Sequence, residues 1–137
     1  MNILIDTNII LDYLVKREPF FEYADRIFSL CAESCLHGTI AAHSVTNCFY
    51  ILKSTYSPKE RRELLLHICN IVDVSGIDRN TILSALNNYD FTDFEDCVQS
   101  ECASSFGADY IVTRNIKDFS QSSVPAILPE DFLGLIK

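Results

Sequence analysis

Apolar residues recur along the chain with two periods, and the alternation between them predicts the order of elements. Residues 3–5 (Ile3, Leu4, Ile5) form a short continuous apolar run that stops at Asp6, the pattern of a strand buried on both faces. Thr7 or Asn8 is then placed to cap a helix through Ile9, Leu11 and Leu14 that ends near Arg17, before Pro19. Phe20, Ala24, Ile27, Phe28 and Cys31 share one helical face over residues 20–31. A second strand is predicted at residues 39–42, followed by a helix capped by Ser44 that carries Val45, Cys48, Phe49, Ile51 and Leu52.

Ser57-Pro58 has the residue types of an N-cap and first helical position, and it opens a helix over Leu64, Leu65, Ile68 and Cys69. Residues 71–74 predict a third strand, stopped by Ser75-Gly76. Asp78 starts a helix through Ile82, Leu83 and Leu86. A further helix spans residues 94–106, with Gly107 as its left-handed cap. Residues 110–113 read as a fourth strand, residues 126–128 as a weak fifth, and residues 129–136 as a short final helix. Strands that are apolar on both faces and alternate with helices predict an α/β fold: a three-layer α/β/α domain with a parallel sheet of four or five strands. In such sheets ligands bind beyond the carboxyl ends of the strands. That rule singles out Asp6, the turn at residues 42–44 and the segment Thr113-Arg114-Asn115, with Asp93 and Asp96 opening the helix that leads into strand four.

Length and composition fit this picture. At 137 residues the chain supports one domain over residues 1–137, and 48% hydrophobic with 22% charged residues is the balance of a globular protein. No apolar run is long enough to cross a membrane, and the N-terminus lacks the basic and apolar regions of a signal peptide; the expected location is the cytoplasm. The six cysteines form no C-x-x-C pair and have no zinc-finger spacing to histidine, so they are expected to be reduced, with Cys48, Cys69, Cys97 and Cys102 packed in helices. The net charge of −8 argues against a nucleic-acid coat protein and fits a carboxylate-rich metal site or a basic partner.

Asp6 ends an otherwise apolar strand, where a carboxylate either caps the next helix or is compensated by a cation or by amides. Asp90, Asp93, Glu95 and Asp96 crowd seven residues before and at the start of one helix. The helix dipole accounts for one or two of them, but four acids repel one another. Hard oxygens converging on Asp6 are the donors that Mg²⁺ or Mn²⁺ requires. Neither a phosphate-binding glycine loop nor a serine triad is present in the sequence.

The segment Ile3-Leu4-Ile5-Asp6-Thr7-Asn8-Ile9-Ile10-Leu11-Asp12 resembles the N-terminal D-T-N signature of PIN domains. Asp93-Phe94-Glu95-Asp96 resembles the third acidic motif of that family, and Thr113-Arg114-Asn115-Ile116-Lys117-Asp118-Phe119 its closing T-x-[DN]-x-x-[DE]-F segment. The R-E-P-F-F stretch at residues 17–21 is similar to the bacterial branch of VapC-type toxins. The resemblance implies an endoribonuclease dependent on Mg²⁺ or Mn²⁺. It further implies Asp6 and Asp96 as metal ligands, Asp93 and Asp118 as further catalytic acids, and Asn8, Ser44, Asn47, Thr113 and Asn115 in supporting positions. Lys16, Arg17, Arg114 and Lys117 border this site as candidates for gripping RNA, whereas Lys59, Arg61 and Arg62 open a helix as a solvated face.

A small antitoxin protein and a homodimer are the partners that the resemblance implies, with no membrane. Two departures bear on activity: Asn47 and Asn115 stand where family members carry acids. They leave open a weakened module that binds RNA or protein without cutting. A receiver domain would need a phosphorylatable Asp at the end of strand three and a Lys after strand five. A haloacid-dehalogenase-type phosphatase would need D-x-D after strand one; none of these is present.

Overall fold

A computed structural model describes residues 1–136; Lys137, the last residue of the expected domain, lies outside the described residues. Five strands, β1 (Asn2–Ile5), β2 (His37–Ala41), β3 (Asp73–Ser75), β4 (Tyr110–Val112) and β5 (Ala126–Ile127), form one sheet in the order β3-β2-β1-β4-β5. Every pairing is parallel, with Ile3 opposite Gly38 on one side and Tyr110 on the other. Parallel neighbours need crossovers. These are supplied by α1 (Thr7–Leu14), α2 (Phe21–Ala32), α3 (Ala42–Ile51), α4 (Pro58–Ile71), α5 (Arg79–Leu86) and α6 (Phe94–Phe106), while α7 (Pro129–Leu135) follows β5.

Alternation along the strands separates two apolar cores. Ile3, Ile5, Ile40 and Val112 point to one face and pack with α1, α2, α3, α4 and α7; Leu4, Ala41 and Ile111 point to the other and pack with α5 and α6. The expected α/β/α layering is therefore realised, with all five strands present. Sheet packing also explains a glycine. A Cβ at Gly38 would stand 2.9 Å from Cys31 Sγ and 3.1 Å from Val72 Cγ1, so β2 and the segment around Cys31 approach as closely as they do only with glycine there.

Local capping follows the sequence where the signals are strong. Ser57 accepts from Glu60 N while the Glu60 side chain accepts from Ser57 N, Asp78 accepts from Thr81 N, and Gly107 closes α6 at φ 75°. Three expectations change. Helix α1 begins at Thr7 itself, with Asp6 in the capping position. Helix α3 begins at Ala42, three residues early, so β2 ends at Ala41 rather than at residue 42 and Ser44 is no cap; it lies buried inside the helix with its hydroxyl 2.7 Å from that of Thr7. The third strand is residues 73–75 rather than 71–74, because α4 runs on through Ile71 and is packed there on the core.

Of the cysteines, Cys31, Cys48, Cys97 and Cys102 are buried, all six are free thiols, and Cys69 is exposed on α4 rather than packed. Among the described residues no helix is long and apolar enough to cross a membrane.

Candidate active site at the carboxyl ends of β1 and β4

The chain leaves β1 in one direction through β2 and β3 and returns on the other side as β4 and β5. The adjacent ends of β1 and β4 are therefore the topological switch point of the sheet. Asp6 follows β1 and Thr113 follows β4, and the two side chains meet: Thr113 Oγ1 donates to Asp6 Oδ2 at 2.8 Å. Gln99 Nε2, from α6, donates to Asp6 Oδ1 at 2.9 Å. Asp6 occupies the capping position of α1, yet its side chain makes no cap bond; both oxygens are turned to Gln99 and Thr113 instead. That geometry disfavours the plain capping account of this residue.

Asp6, Gln99 and Thr113 are all buried. Desolvation raises the Asp6 carboxyl above its ordinary range, outweighing the hydrogen bonds that lower it, and the charge of Asp118 adds to the rise. Asp96, half-buried in the first turn of α6, is pushed up to about 7. Desolvation is the main cause, followed by repulsion from Asp93, Asp6, Asp118 and Glu95. These shifts identify one neighbourhood of mutually repelling acids with no basic partner on Asp6 or Asp96 among the described residues.

Asp93 is exposed and caps α6, its Oδ1 accepting from Asp96 N at 3.0 Å. Asp118 is exposed on a 3₁₀ turn at Ile116–Phe119, which Asn115 introduces. The Asn115 backbone amide donates to Thr113 Oγ1 at 2.9 Å, so Asn115 holds the threonine through its main chain. Asn8 is half-buried on α1, two residues past Asp6, and it is Thr7 that binds Ser44. Asn47 lies one turn beyond His43 on α3, and both line a cavity between α3, α5 and α6.

The four candidate cations divide. Lys16 and Lys117 are exposed. Arg114 instead makes a two-pronged contact with the fully buried Asp12, Nε to Oδ2 at 2.8 Å and a terminal nitrogen to Oδ1 at 3.1 Å. Its guanidinium also sits 3.9 Å from the centre of the Phe20 ring. Arg17 reaches the same carboxylate at 3.3 Å. Arg61 donates to Phe49 O at the end of α3 at 2.8 Å and lies over the Phe49 ring, a structural bond rather than a solvated face.

Gln99 and Asp12 are the residues that sequence reasoning passed over. Gln99 carried a usable signal, being a polar residue one turn from Asp96 amid Cys97, Val98, Cys102 and Ala103. Asp12 had none beyond its place on an apolar helix.

Chemically, the site offers hard oxygen donors in a partly desolvated setting, with Asp6 and Asp96 the two carboxyls whose repulsion a cation would relieve. Gln99 Oε1 is buried there without a partner. Among the described residues no group of three or more His, Cys, Asp or Glu side chains is placed to hold a metal ion together. Mg²⁺ does not demand one, since it takes one or two carboxylates and completes its shell with water and substrate phosphate. Thiol chemistry is disfavoured: burial pushes Cys48 up to about 12 and Cys31 and Cys102 up to about 11, the reverse of what a thiolate nucleophile needs.

The chain belongs to the PIN domain family, whose sequence pattern matches residues 2–117. Among solved structures it is similar to VapBC2 from Rickettsia felis, bound to a DNA fragment from its promoter, with a TM-score of 0.72 at 15% identity, covering 93% of this chain and 98% of that one. It is equally similar to the Mycobacterium tuberculosis VapC20, a sarcin-ricin loop cleaving toxin, with a TM-score of 0.72 at 13% identity and coverage of 93% and 99%. FitAB bound to a DNA fragment follows with a TM-score of 0.62 at 16% identity and coverage of 93% and 94%. No curated protein matches the sequence. The structural likenesses establish the fold, and the family match agrees with the motifs read from the sequence.

Proposed function

We propose that the chain is an endoribonuclease that hydrolyses RNA phosphodiesters with Mg²⁺ or Mn²⁺, acting as the toxin of a toxin–antitoxin pair. One observation carries the reading: two carboxyls with raised pKa, Asp6 and Asp96, sit together at the switch point of a PIN fold with no basic partner among the described residues. Asp6 and Asp96 are assigned as the metal ligands, with Asp93 and Asp118 contributing directly or through water. A divalent ion held there supplies water of lowered pKa and neutralises charge on the scissile phosphate.

The chain's own residues supply the rest of the site. Gln99 and Thr113 fix both oxygens of Asp6 in one orientation, and the Asn115 amide fixes Thr113 in turn. Asp93 ties down the first turn of α6 and with it the backbone of Asp96. Lys16 and Lys117, both exposed, are assigned to the RNA backbone. Arg17 and Arg114 are assigned first to holding α1 against the end of β4 through Asp12, and to RNA only with donors left over. RNA as substrate is supported by the VapC20 toxin, which shares the fold.

An antitoxin partner is supported by the VapBC and FitAB assemblies and by the net charge of −8, which suits a basic segment. A homodimer would use apolar faces at α2 and α4, where Tyr23 and Leu66 are exposed; a clean monomer in size-exclusion chromatography at high concentration would count against it. The cytoplasm is the compartment proposed.

The test is cleavage of a structured RNA pool with Mg²⁺ or Mn²⁺ by wild type, Asp6→Asn and Asp96→Asn. Cutting that needs metal and is lost in both variants supports the reading. Intact RNA throughout, with no metal binding by calorimetry, would replace it with a PIN domain that binds without cutting, its charge eroded at Asn47 and Asn115.

A further inference from the structure

A cavity of about 290 Å³ opens between α3, α5 and α6, immediately beside the acids. Its walls are of three kinds. Ile77 and Ile82 are aliphatic; Phe94 is an aromatic ring left 44% exposed; Asn47, His43 and Glu95 are polar. Phe94 and Glu95 lie between Asp93 and Asp96 in the first turn of α6, so the cavity and the acid cluster share that turn of helix.

Two observations mark the cavity as a site rather than a packing defect. His43 has both ring nitrogens buried with no hydrogen-bond partner, whereas buried polar atoms are nearly always satisfied by protein, water or ligand. Phe94 keeps nearly half of its surface exposed at the cavity, and an aromatic ring is the platform on which an unstacked base settles.

We propose that this cavity is a base-recognition subsite that takes an unpaired guanine of the RNA next to the scissile phosphate, with Phe94 as its stacking platform and Glu95 reading its edge. The proposal rests on the ribonuclease reading and adds to it the determinant of substrate choice. Guanine follows from Glu95. A carboxylate accepts hydrogen bonds through both of its oxygens, and guanine alone presents two adjacent donors, N1–H and the N2 amino group, on its Watson–Crick edge. Adenine and cytosine set a ring acceptor beside their amino group, and uracil flanks its single N–H with carbonyls. Asn47 offers a donor and an acceptor to the remaining polar atoms of the base.

The four nucleoside 5′-monophosphates, titrated onto the full chain in EDTA and followed by amide chemical shifts, test the subsite without calling on metal or cleavage. Guanosine monophosphate is expected to saturate with shifts centred on Ile82, Phe94 and Glu95. Phe94→Ala should weaken it about tenfold or more, and Glu95→Gln should erase its advantage over the adenosine nucleotide. No saturable binding, unchanged binding by Phe94→Ala, or equal binding of all four nucleotides would overturn the proposal. RNA left uncut by a chain that binds guanosine monophosphate in this way would defeat the nuclease reading and leave the subsite standing. RNA cut without regard to guanine, by a chain that does not bind the nucleotide, would do the reverse.

Discussion

Thr113 and Asp6 are 107 residues apart in sequence, yet the hydroxyl of the first donates to the carboxylate of the second at 2.8 Å, across the ends of two paired parallel strands. With Gln99 on the other oxygen, this bond offsets part of the desolvation that raises the Asp6 carboxyl.

Removing either donor should therefore weaken metal binding more than folding. Thr113→Val and Gln99→Leu are each expected to reduce metal affinity and RNA cleavage by about 10–100-fold, the usual effect of losing a group that orients a metal ligand. Calorimetry with Mn²⁺ and initial cleavage rates measure both. Variants with full affinity and rate would show that Asp6 needs neither donor.

The pH dependence of stability follows from Asp96. Its carboxyl titrates at about 7 in the folded chain and near the ordinary 3.8 once unfolded, so between those values the folded state binds more protons. The stabilisation this gives is complete below pH ~4 and is lost as pH rises through about 7. Urea unfolding in EDTA should accordingly show lower stability at pH 8 than at pH 5.5. Asp96→Asn should flatten that slope, and added Mg²⁺ should restore stability at pH 8. A slope unchanged in Asp96→Asn would assign it to other groups.

Arg114 tests whether its pairing with Asp12 is structural. Asp12 is fully buried, so Arg114→Ala leaves a charge that, among the described residues, only Arg17 meets, at 3.3 Å, and should cost about 3–5 kcal/mol of stability. Replacing both partners by apolar residues, Asp12→Leu with Arg114→Met, should recover most of that loss. Denaturant melts of the two single variants and the double variant form the cycle. A stable Arg114→Ala with impaired RNA binding would instead make this arginine an RNA contact before anything else.

Gly38 is expected to tolerate nothing larger. The methyl of Gly38→Ala would fall 2.9 Å from Cys31 Sγ and 3.1 Å from a Val72 methyl, inside a packed core. Overpacking of this kind costs about 1–3 kcal/mol. Thermal melts of Gly38→Ala and of Gly38→Ala with Cys31→Ala check it: the second substitution clears the nearer contact and should recover part of the loss.

The sequence by itself determined the elements and the end of the sheet that carries the acids, because those signals are local. Ile3-Leu4-Ile5 before Asp6, the Ser57-Pro58-Lys59-Glu60 start of α4, Asp78 before α5 and Gly107 after α6 act through bonds a few residues long, and each occurs where the local pattern places it. Where a local signal competed with packing, packing decided. Ser44 has the chemistry of a cap but sits inside α3 because its hydroxyl meets Thr7, and the apolar run at residues 71–74 is divided between α4 and β3. Only the tertiary structure could turn Asp6 away from capping α1 and toward Gln99 and Thr113, or bind Arg114 to Asp12. Those contacts depend on which strands become neighbours and which helix faces them, and the order β3-β2-β1-β4-β5 is a property of the whole chain rather than of any segment within it.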